Sequence, residues 1–314
     1  MDDICILWKK YGDGACIYAV YGYNGVVSIP DNIDNLPVRK IGDYCFSQSD
    51  RIPGDCEMHG IMSAQMRRIC GEYLDEVTLP DEVSVLGNFA FYNCRNLKYI
   101  NISEKLREVG SDVFMNCMKF HDITIRCTPD SETGLKQILG RISWDVNVKF
   151  EKCGETYASV FYPEYFENYD EIAPAHIFGR NIDGEGFRAR QAFDNGRINM
   201  QQYDSVFDKA CGEESERVLV KMSLERLIYP YELADIYRES YISYIKNNDE
   251  RCVSIVVKDR WLEALEIMCR ENLMSAKALN TARVMSADKG WSEGAACLVR
   301  IGSNEKNVRK RYEL

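Results

Sequence analysis

One short segment of the chain gathers side chains that could catalyse a reaction or bind an anion. In chain order these are His176, Asp183, Gly184, Glu185, Gly186, Arg188 and Arg190. A Gly-x-Gly turn followed by two arginines can hold a phosphate or a carboxylate, because a guanidinium group donates paired hydrogen bonds to either. A hydrolase or transferase site around His176 to Arg190 is therefore one hypothesis. Glycine turns with solvated arginines are more common, so we favour a segment without catalytic function.

No other stretch of the sequence carries a complete catalytic or cofactor motif. The sequence has no P-loop, full G-x-G-x-x-G, G-x-S-x-G or H-E-x-x-H, and no paired-cysteine metal motif. We expect no catalytic residue, no cofactor and no metal ion. The chain is therefore predicted not to be an enzyme.

The 13 cysteines are scattered along the chain, odd in number and never spaced as Cys-x-x-Cys. We interpret them as reduced thiols that act as small buried hydrophobic side chains. The first residues, Met1 to Ile4, are acidic and lack the basic region and long apolar run of a secretory signal. We expect a cytoplasmic protein without membrane insertion. The alternative is an exported protein whose signal peptide has been removed.

A dense run of aromatic side chains lies just after the middle of the sequence. Its members are Tyr157, Phe161, Tyr162, Tyr165, Phe166 and Tyr169. Aromatic side chains bury large areas wherever they pack, so the run forms either an interface between two domains or a surface for a partner. Its first five members, together with Arg188 and Arg190, are the candidate binding residues.

The clearest pattern in the sequence is a repeat of 23 residues. Ile100 follows Val77 by 23 positions (100 − 77), and Ile123 follows Ile100 by the same number (123 − 100). One period shared by several residue types indicates a solenoid, in which each unit buries its apolar side chains against its neighbours. The residues predicted to form the core of the repeat are Val77, Leu79, Gly87, Phe91, Cys94, Ile100, Ile102, Gly110, Phe114, Cys117, Ile123 and Ile125.

The segment from Val77 to Leu97 reads VTLPDEVSVLGNFAFYNCRNL. It resembles the BspA-type (treponemal) leucine-rich repeat, whose unit reads approximately I-x-I-P-x-x-V-x-x-I-G-x-x-A-F-x-x-C-x-x-L. The resemblance covers residues 26–126. It implies a right-handed solenoid with a sheet of short strands, and binding of proteins or surfaces in place of catalysis. Many members are exported adhesins, so a cell-surface adhesin is a further alternative.

Two segments that flank the regular units depart from the repeat. Residues 3–29 read as β structure with glycine turns, and we predict that they form an N-terminal β cap on the first coil. Residues 48–74 form an insertion in which Ile61, Met62, Met66 and Ile69 have helical spacing. We favour a helix that covers one side of the solenoid, and the alternative is a specialised binding surface.

At 314 residues the chain is long enough for two domains. We place the boundary near residue 152, with a leucine-rich-repeat domain over residues 1–152 and a mainly α-helical domain over residues 153–314. The later sequence has helical periodicity and short loops, which favour paired antiparallel helices. The predicted fold class is α+β: a short leucine-rich-repeat solenoid with an N-terminal β cap, followed by an all-α helical-hairpin domain.

The charge of the chain limits its partners. The formal net charge is −10 and no long basic stripe is present, so neither nucleic acid nor an anionic membrane is an expected partner. The favoured hypothesis is a non-enzymatic protein-interaction or scaffold module. Its partner is another protein, which the sequence does not identify.

Overall fold

The structure is a computed structural model that describes residues 4–172 and 177–300. The chain divides into two compact units, Met1–Asn199 and Met200–Leu314. The first contains a solenoid of short strands, and the second is helical. The predicted α+β fold class, a solenoid followed by a helical region, is confirmed.

The solenoid is built from strands that belong to two sheets. They are Ile4–Tyr11 (β1), Gly14–Gly22 (β2), Val26–Ser28 (β3), Asn32–Ile33 (β4), Leu36–Ile41 (β5), Glu57–His59 (β6), Arg67–Arg68 (β7), Glu76–Thr78 (β8), Val85–Leu86 (β9), Tyr99–Ser103 (β10), Glu108–Val109 (β11), Asp122–Arg126 (β12), Val146–Lys152 (β13) and Glu155–Tyr162 (β14). The front sheet has the order β14-β13-β12-β10-β8-β3. The back sheet has the order β11-β9-β5-β2-β1-β6, with β4 paired to β5 and β7 to β2.

Shorter elements complete the first unit. They are a 3-10 turn at Gly71–Tyr73, helix α1 at Leu135–Leu139, the hairpin of β15 (Phe166–Ile172) with β16 (Ile177–Asp183), helix α2 at Gly186–Ala189, and the small hairpin of β17 (Phe193–Asp194) with β18 (Arg197–Ile198).

The register of the front sheet reproduces the 23-residue period. Ile100 on β10 pairs with Val77 on β8 and with Ile123 on β12, and all three strands are parallel. In the back sheet, Leu86 pairs with Val109 on one side and with Ile41 on the other. Positions that are equivalent in the sequence are therefore neighbours in space, as a solenoid requires.

The glycine of each unit is required because successive coils touch there. A Cβ on Gly87 would lie 2.5 Å from the main-chain N of Asp43, and a Cβ on Gly110 would lie 2.7 Å from that of Asn88. No real side chain tolerates these distances. Two residues after each glycine the chain takes a left-handed conformation, with φ of 56° at Phe89 and 52° at Asp112.

The interior of the solenoid contains a stack of phenylalanine rings. Phe46, Phe91 and Phe114 are buried, with ring centres 4.9 and 5.4 Å apart in that order. The cysteine of each unit lies beside this stack. Cys94 donates from its thiol to the carbonyl of Phe46 (3.2 Å), and Cys117 donates to that of Phe91 (3.1 Å). Each cysteine thus bonds to the preceding coil while filling a small apolar site.

The insertion at residues 48–74 contains no α-helix, so the predicted helix is wrong. Residues 57–59 form β6 against β1, and residues 67–68 form β7 against β2. Ile69 is buried in the core, whereas Ile61 is 88% exposed. The helical spacing of the four apolar residues is coincidental, because pairing with distant strands decides the conformation here.

The predicted domain boundary near residue 152 falls at the turn of a β-hairpin. Lys152 on β13 pairs with Glu155 on β14, and Gly154 takes the positive φ of 80° that the turn needs. A boundary there would separate two hydrogen-bonded strands. The contacts divide the chain later, between Asn199 and Met200, because a glycine-containing polar turn has the same sequence signature in a hairpin as in a linker.

The second unit consists of helices joined by short connections. They are Met200–Asp204 (α3), Phe207–Glu213 (α4), Glu216–Ile228 (α5), Asp235–Asn247 (α6), Asp249–Lys258 (α7), Leu262–Arg270 (α8) and Ala276–Asp288 (α9), and residues 292–300 are also helical. Helix α7 packs against α9, and α5 packs against α6.

A buried polar cluster connects three of these helices. Arg226 on α5 forms a two-fold ion pair with Asp204 on α3, with distances of 2.8 and 2.9 Å, and both side chains are fully buried. Tyr241 on α6 donates to the same carboxylate (2.8 Å), and burial raises the pKa of its phenol. The remaining Arg226 donors reach the carbonyls of Tyr229 and Tyr231.

Three helix ends in this unit share one geometry. Arg260, Asn272 and Gly290 take φ values of 52°, 51° and 59°, and the residue after each donates back to the helix, from Trp261 to Val256, from Leu273 to Met268 and from Trp291 to Ser286. This is the Schellman arrangement, in which a left-handed residue is followed by a hydrophobic one.

Candidate functional site

The aromatic run predicted to contact a partner does not form one surface. Phe161, Tyr162 and Tyr165 are buried. Tyr157, Phe166 and Tyr169 are exposed. The three buried rings therefore stabilise the first unit, and the three exposed rings remain available to a partner.

Arg190, a second candidate binding residue, is only 3% exposed. Its guanidinium donates to the carbonyls of Trp144 (2.7 Å) and Gly186 (3.0 Å), and also to that of Pro163. It lies over the rings of Tyr162 and Tyr165, 5.9 and 5.1 Å from their centres. Arg190 thus holds three main-chain segments together and is not presented to an anion.

Arg188 lies apart from Arg190. Its side chain is about half exposed and forms an ion pair with the buried carboxylate of Glu185. Gly186 is needed because a Cβ there would lie 2.0 Å from the carbonyl oxygen of Pro163. His176 lies outside the described residues. The glycine turn thus packs against the chain, and its two arginines face different surroundings.

The described part of the chain contains no group of three or more histidine, cysteine, aspartate or glutamate side chains that could hold a metal ion. Burial raises the pKa of the Cys94 thiol well above its ordinary value, so this thiol stays protonated and inert. Within residues 4–172 and 177–300, no helix is long and apolar enough to cross a membrane.

A different site emerges where the front sheet begins. Over the described residues, β8 is the single strand paired with β3, so the other edge of β3 is open. The hairpin β1–β2, predicted as a cap, extends the back sheet and not the front sheet. Val26 on β3 is 57% exposed.

A cavity of about 370 Å³ lies beside this edge. Its aliphatic lining comes from Val27 and Ile29 of the front sheet and from Ile4 and Ile69 on the other side. Val27, Ile29 and Ile69 belong to the solenoid core and are buried, so the cavity lies directly against the core. The volume lies within the range of about 300–1,000 Å³ that is usual for ligand pockets.

Polar groups at the rim of the cavity are already arranged by the fold. His59 lines the cavity and its Nδ1 lies 2.9 Å from the Asp34 carboxylate. Tyr73 donates to the carbonyl of Tyr23, which also lines the cavity (2.6 Å). These bonds fix the rim without filling the aliphatic interior.

The insertion adds exposed apolar side chains next to the rim. Gly60, with φ of 87°, packs so closely on β1 that a Cβ would lie 2.8 Å from the Ile4 carbonyl oxygen. The turn projects Ile61 outward, and Met58 and Met62 beside it are also exposed. Contiguous exposed apolar side chains usually mark interaction sites. We call the β3 edge, the cavity and residues 58–62 the open end.

From the sequence we favoured a covering helix over residues 48–74, with a specialised binding surface as the alternative. The β3 edge and the cavity were not predicted. The helical spacing of the apolar residues carried no signal for the strands that residues 57–59 and 67–68 form with β1 and β2.

Comparison with known families agrees with this geometry. The family model described as a BspA type leucine rich repeat region (6 copies) matches residues 66–136. Residues 66–136 of the solenoid therefore carry leucine-rich repeats of the BspA type, as the resemblance of the sequence predicted. No curated protein matches the chain.

Two solved structures resemble parts of the chain. The T. pallidum Leucine Rich Repeat protein is 24% identical, with 38% of this chain and 50% of that chain covered and a TM-score of 0.30. A leucine rich cell surface protein from Faecalibacterium prausnitzii A2-165 is 19% identical, with 46% and 40% covered and a TM-score of 0.27. The chain spans half or less of the length of both.

Proposed function

We propose that this chain is a non-enzymatic protein-interaction module that contacts its partner, another protein, through the open end. The observation that carries the proposal is the group of exposed aliphatic side chains around Ile61 beside a cavity lined by core residues. Burying one such side chain in an interface contributes about 1.5–3 kcal/mol. The repeat type supports the same function, because leucine-rich-repeat solenoids provide extended binding surfaces.

The hydrolase or transferase hypothesis has less support. It requires Arg188 and Arg190 to converge on one ligand, whereas Arg190 is committed to three carbonyl groups and Arg188 to Glu185. No observation on the described residues favours the adhesin alternative over an intracellular scaffold.

The experiment compares capture of proteins from an extract of the native cell by three forms of the chain. Ile61→Lys places a charge in the centre of the proposed contact. Val284→Lys makes the same change at an exposed aliphatic residue on α9 and serves as the control. Quantitative mass spectrometry is expected to find proteins that the wild type and Val284→Lys retain and that Ile61→Lys loses. Equal capture by all three forms would contradict the proposed site.

A cytoplasmic location is part of this proposal, with export as its alternative. All 13 cysteines are free thiols, and two of them donate hydrogen bonds that a disulfide could not make. This favours a reducing compartment. Fractionation of native cells with an antibody to the chain tests it, and recovery in the envelope fraction would support export.

A further inference from the structure

The hydrogen bonds of β3 show which of its main-chain groups face the open edge. Ile29 donates to Thr78 (3.0 Å), and the carbonyl of Gly25 accepts from Asp75 and Glu76 (2.8 and 3.1 Å). Residues 25, 27 and 29 therefore face β8. Because successive residues of a strand alternate between its two edges, the main-chain groups of residues 26 and 28 face outward.

One of these outward groups already has a partner within the chain. The N–H of Val26 donates to Oδ1 of Asn24 (3.0 Å). The carbonyl of Val26 and both main-chain groups of Ser28 are those that the described residues leave for a further strand. Pro30 follows and has no N–H. The edge can thus form hydrogen bonds with one short strand, between the Val26 carbonyl and the Ser28 carbonyl.

The rows of side chains across the front sheet define what such a strand must carry. The row that contains Val27 continues through Val77, Ile100, Ile123, Val148 and Val160, all of them buried aliphatic residues. The adjacent row on the outer face continues from Ser28 through Thr78, Asn101, Thr124, Lys149 and Ser159, all of them polar. A strand added beside β3 that follows this pattern carries an aliphatic residue, then a polar residue, then an aliphatic residue.

The cavity lies where the two aliphatic side chains of that strand would point. A residue opposite Val27 donates to the Val26 carbonyl and accepts from the Ser28 N–H, as parallel pairing requires. The residue two positions later lies opposite Ile29 and donates to the Ser28 carbonyl. Both side chains then enter the cavity between Val27, Ile29, Ile4 and Ile69.

We propose, on the basis of the proposed function, that the open edge of β3 takes an extended segment of the partner protein as a seventh, parallel strand of the front sheet. The segment carries two aliphatic residues separated by one polar residue. Strand addition of this kind takes its affinity from main-chain bonds and its specificity from the pockets for alternate side chains.

A free segment fits this site better than a second copy of the chain. If two copies pair through β3, each keeps Val27 and Ile29 in its own core, and neither fills the other's cavity. An extended segment brings its own two side chains to both cavity positions. The occupant is therefore a partner strand.

The test uses a fluorescent peptide with the sequence of residues 76–80 of this chain, Glu-Val-Thr-Leu-Pro, which carries the required pattern. Anisotropy titration is expected to show saturable binding to the full chain below about 1 mM. Methylation of the peptide nitrogen at its valine removes the donor to the Val26 carbonyl, and we expect binding to weaken by about tenfold or more. A peptide with aspartate in place of valine and leucine is expected not to bind.

Two variants of the chain provide the matched comparison. Ser28→Pro removes the outward N–H and leaves the bonds of β3 to β8 in place, since Ser28 faces the open edge. Ser28→Ala retains the N–H and is the control. We expect Ser28→Pro to weaken peptide binding by about tenfold or more and Ser28→Ala to leave it unchanged. The N-methylated peptide tests the same bonds on the wild-type chain and so does not depend on whether Ser28→Pro folds.

Several results would overturn strand addition. They are no saturable binding, equal binding of the aspartate peptide, or no effect of either N-methylation or Ser28→Pro. If Ile61→Lys still loses captured proteins in that case, the proposed function stands without this mode of binding. A dimer that Ile61→Lys dissociates, without peptide binding, would identify a second copy as the occupant. Binding that requires removal of residues 1–3 would identify the start of the chain as the occupant.

Discussion

At each end of the solenoid, an edge strand has main-chain groups that no further strand of the described residues pairs with. The two ends differ in whether a side chain covers these groups. At the last coil, which we call the closed end, the side chain of Gln137 on α1 accepts from the N–H of Val109 (3.1 Å) and donates to the carbonyl of Arg107 (2.6 Å), as a further strand would. The last five residues of β14 are buried. At the open end, the described residues pair no second strand with β3, and a cavity lies beside its outer edge.

This difference between the two ends suggests a structural role for the closed end and a binding role for the open end. An exposed strand edge is a liability because it can pair with other chains, and proteins usually cover it. The chain carries such a cover at one end, in Gln137 and α1. Keeping the other edge uncovered, with apolar side chains beside it, is consistent with use for binding. The closed end should therefore respond to substitution through stability, and the open end through binding.

The largest effect is expected at Arg190, near the closed end. Arg190→Ala leaves the carbonyls of Trp144, Pro163 and Gly186 without this donor in a buried site. We expect the free energy of unfolding to fall by about 3–5 kcal/mol, because each buried carbonyl left without a donor costs about 1–3 kcal/mol. Urea denaturation followed by circular dichroism measures it. Arg141→Ala, at an exposed arginine that follows α1, is the control and should cost less than about 0.5 kcal/mol. Similar losses in both variants would contradict the structural role of Arg190.

A smaller loss is expected at Gln137. Gln137→Ala removes both hydrogen bonds to the edge of β11 and should reduce the free energy of unfolding by about 1–3 kcal/mol. Hydrogen exchange at the amide of Val109 should accelerate relative to the wild type. Lys136→Ala, at the neighbouring exposed position on the same helix, provides the control. Unchanged exchange at Val109 would show that the edge is not closed by this side chain.

A pH-dependent effect is expected from Cys127, which follows the last regular strand. Burial raises the pKa of its thiol to about 12, from an ordinary value of 9.0. The folded chain keeps a proton that the unfolded chain releases above pH 9, so stability is present below that pH and declines as pH rises toward 12. The urea midpoint of the wild type should thus fall more between pH 8 and pH 10 than that of Cys127→Ala. Parallel pH profiles would contradict this assignment.

The smallest effect on stability is expected at the open end. Ile61→Ser removes an exposed aliphatic side chain, and the free energy of unfolding should change by less than about 0.5 kcal/mol. The melting temperature by differential scanning fluorimetry checks it against the wild type. A loss above about 1 kcal/mol would mean that Ile61 packs against the solenoid and that the two ends do not differ in this way.

The sequence predicts the regular coils residue by residue, because residues that are 23 positions apart in the sequence contact each other. Val77, Ile100 and Ile123 are neighbours in the front sheet at the predicted positions, and Gly87 lies where successive coils touch. Such local periodicity leaves little choice of register. The later helices were predicted for the same reason, since apolar periodicity is a local feature. These helices also carry local caps, such as Ser275, which accepts from the N–H of Ala278 (3.2 Å).

The candidate site depends on contacts between distant parts of the chain, and the sequence indicated it only through the alternative of a binding surface over residues 48–74. Ile69 is buried and Ile61 exposed because their segments pair with β2 and β1, strands that lie far away in sequence. Phe161 and Phe166 differ in exposure for a similar reason, since only the fold decides which face of a hairpin is covered. Residue type alone cannot distinguish such positions.

Two of the helix ends in the second unit are separated by a fixed spacing that encloses one helical pair. Arg260 and Gly290 are 30 positions apart (290 − 260), and a tryptophan with the same backward hydrogen bond follows each. Removing residues 261–290 would join one such end directly to the tryptophan of the other. The helical pair α8 and α9 thus lies between two equivalent junctions, as each 23-residue coil of the first unit lies between equivalent positions.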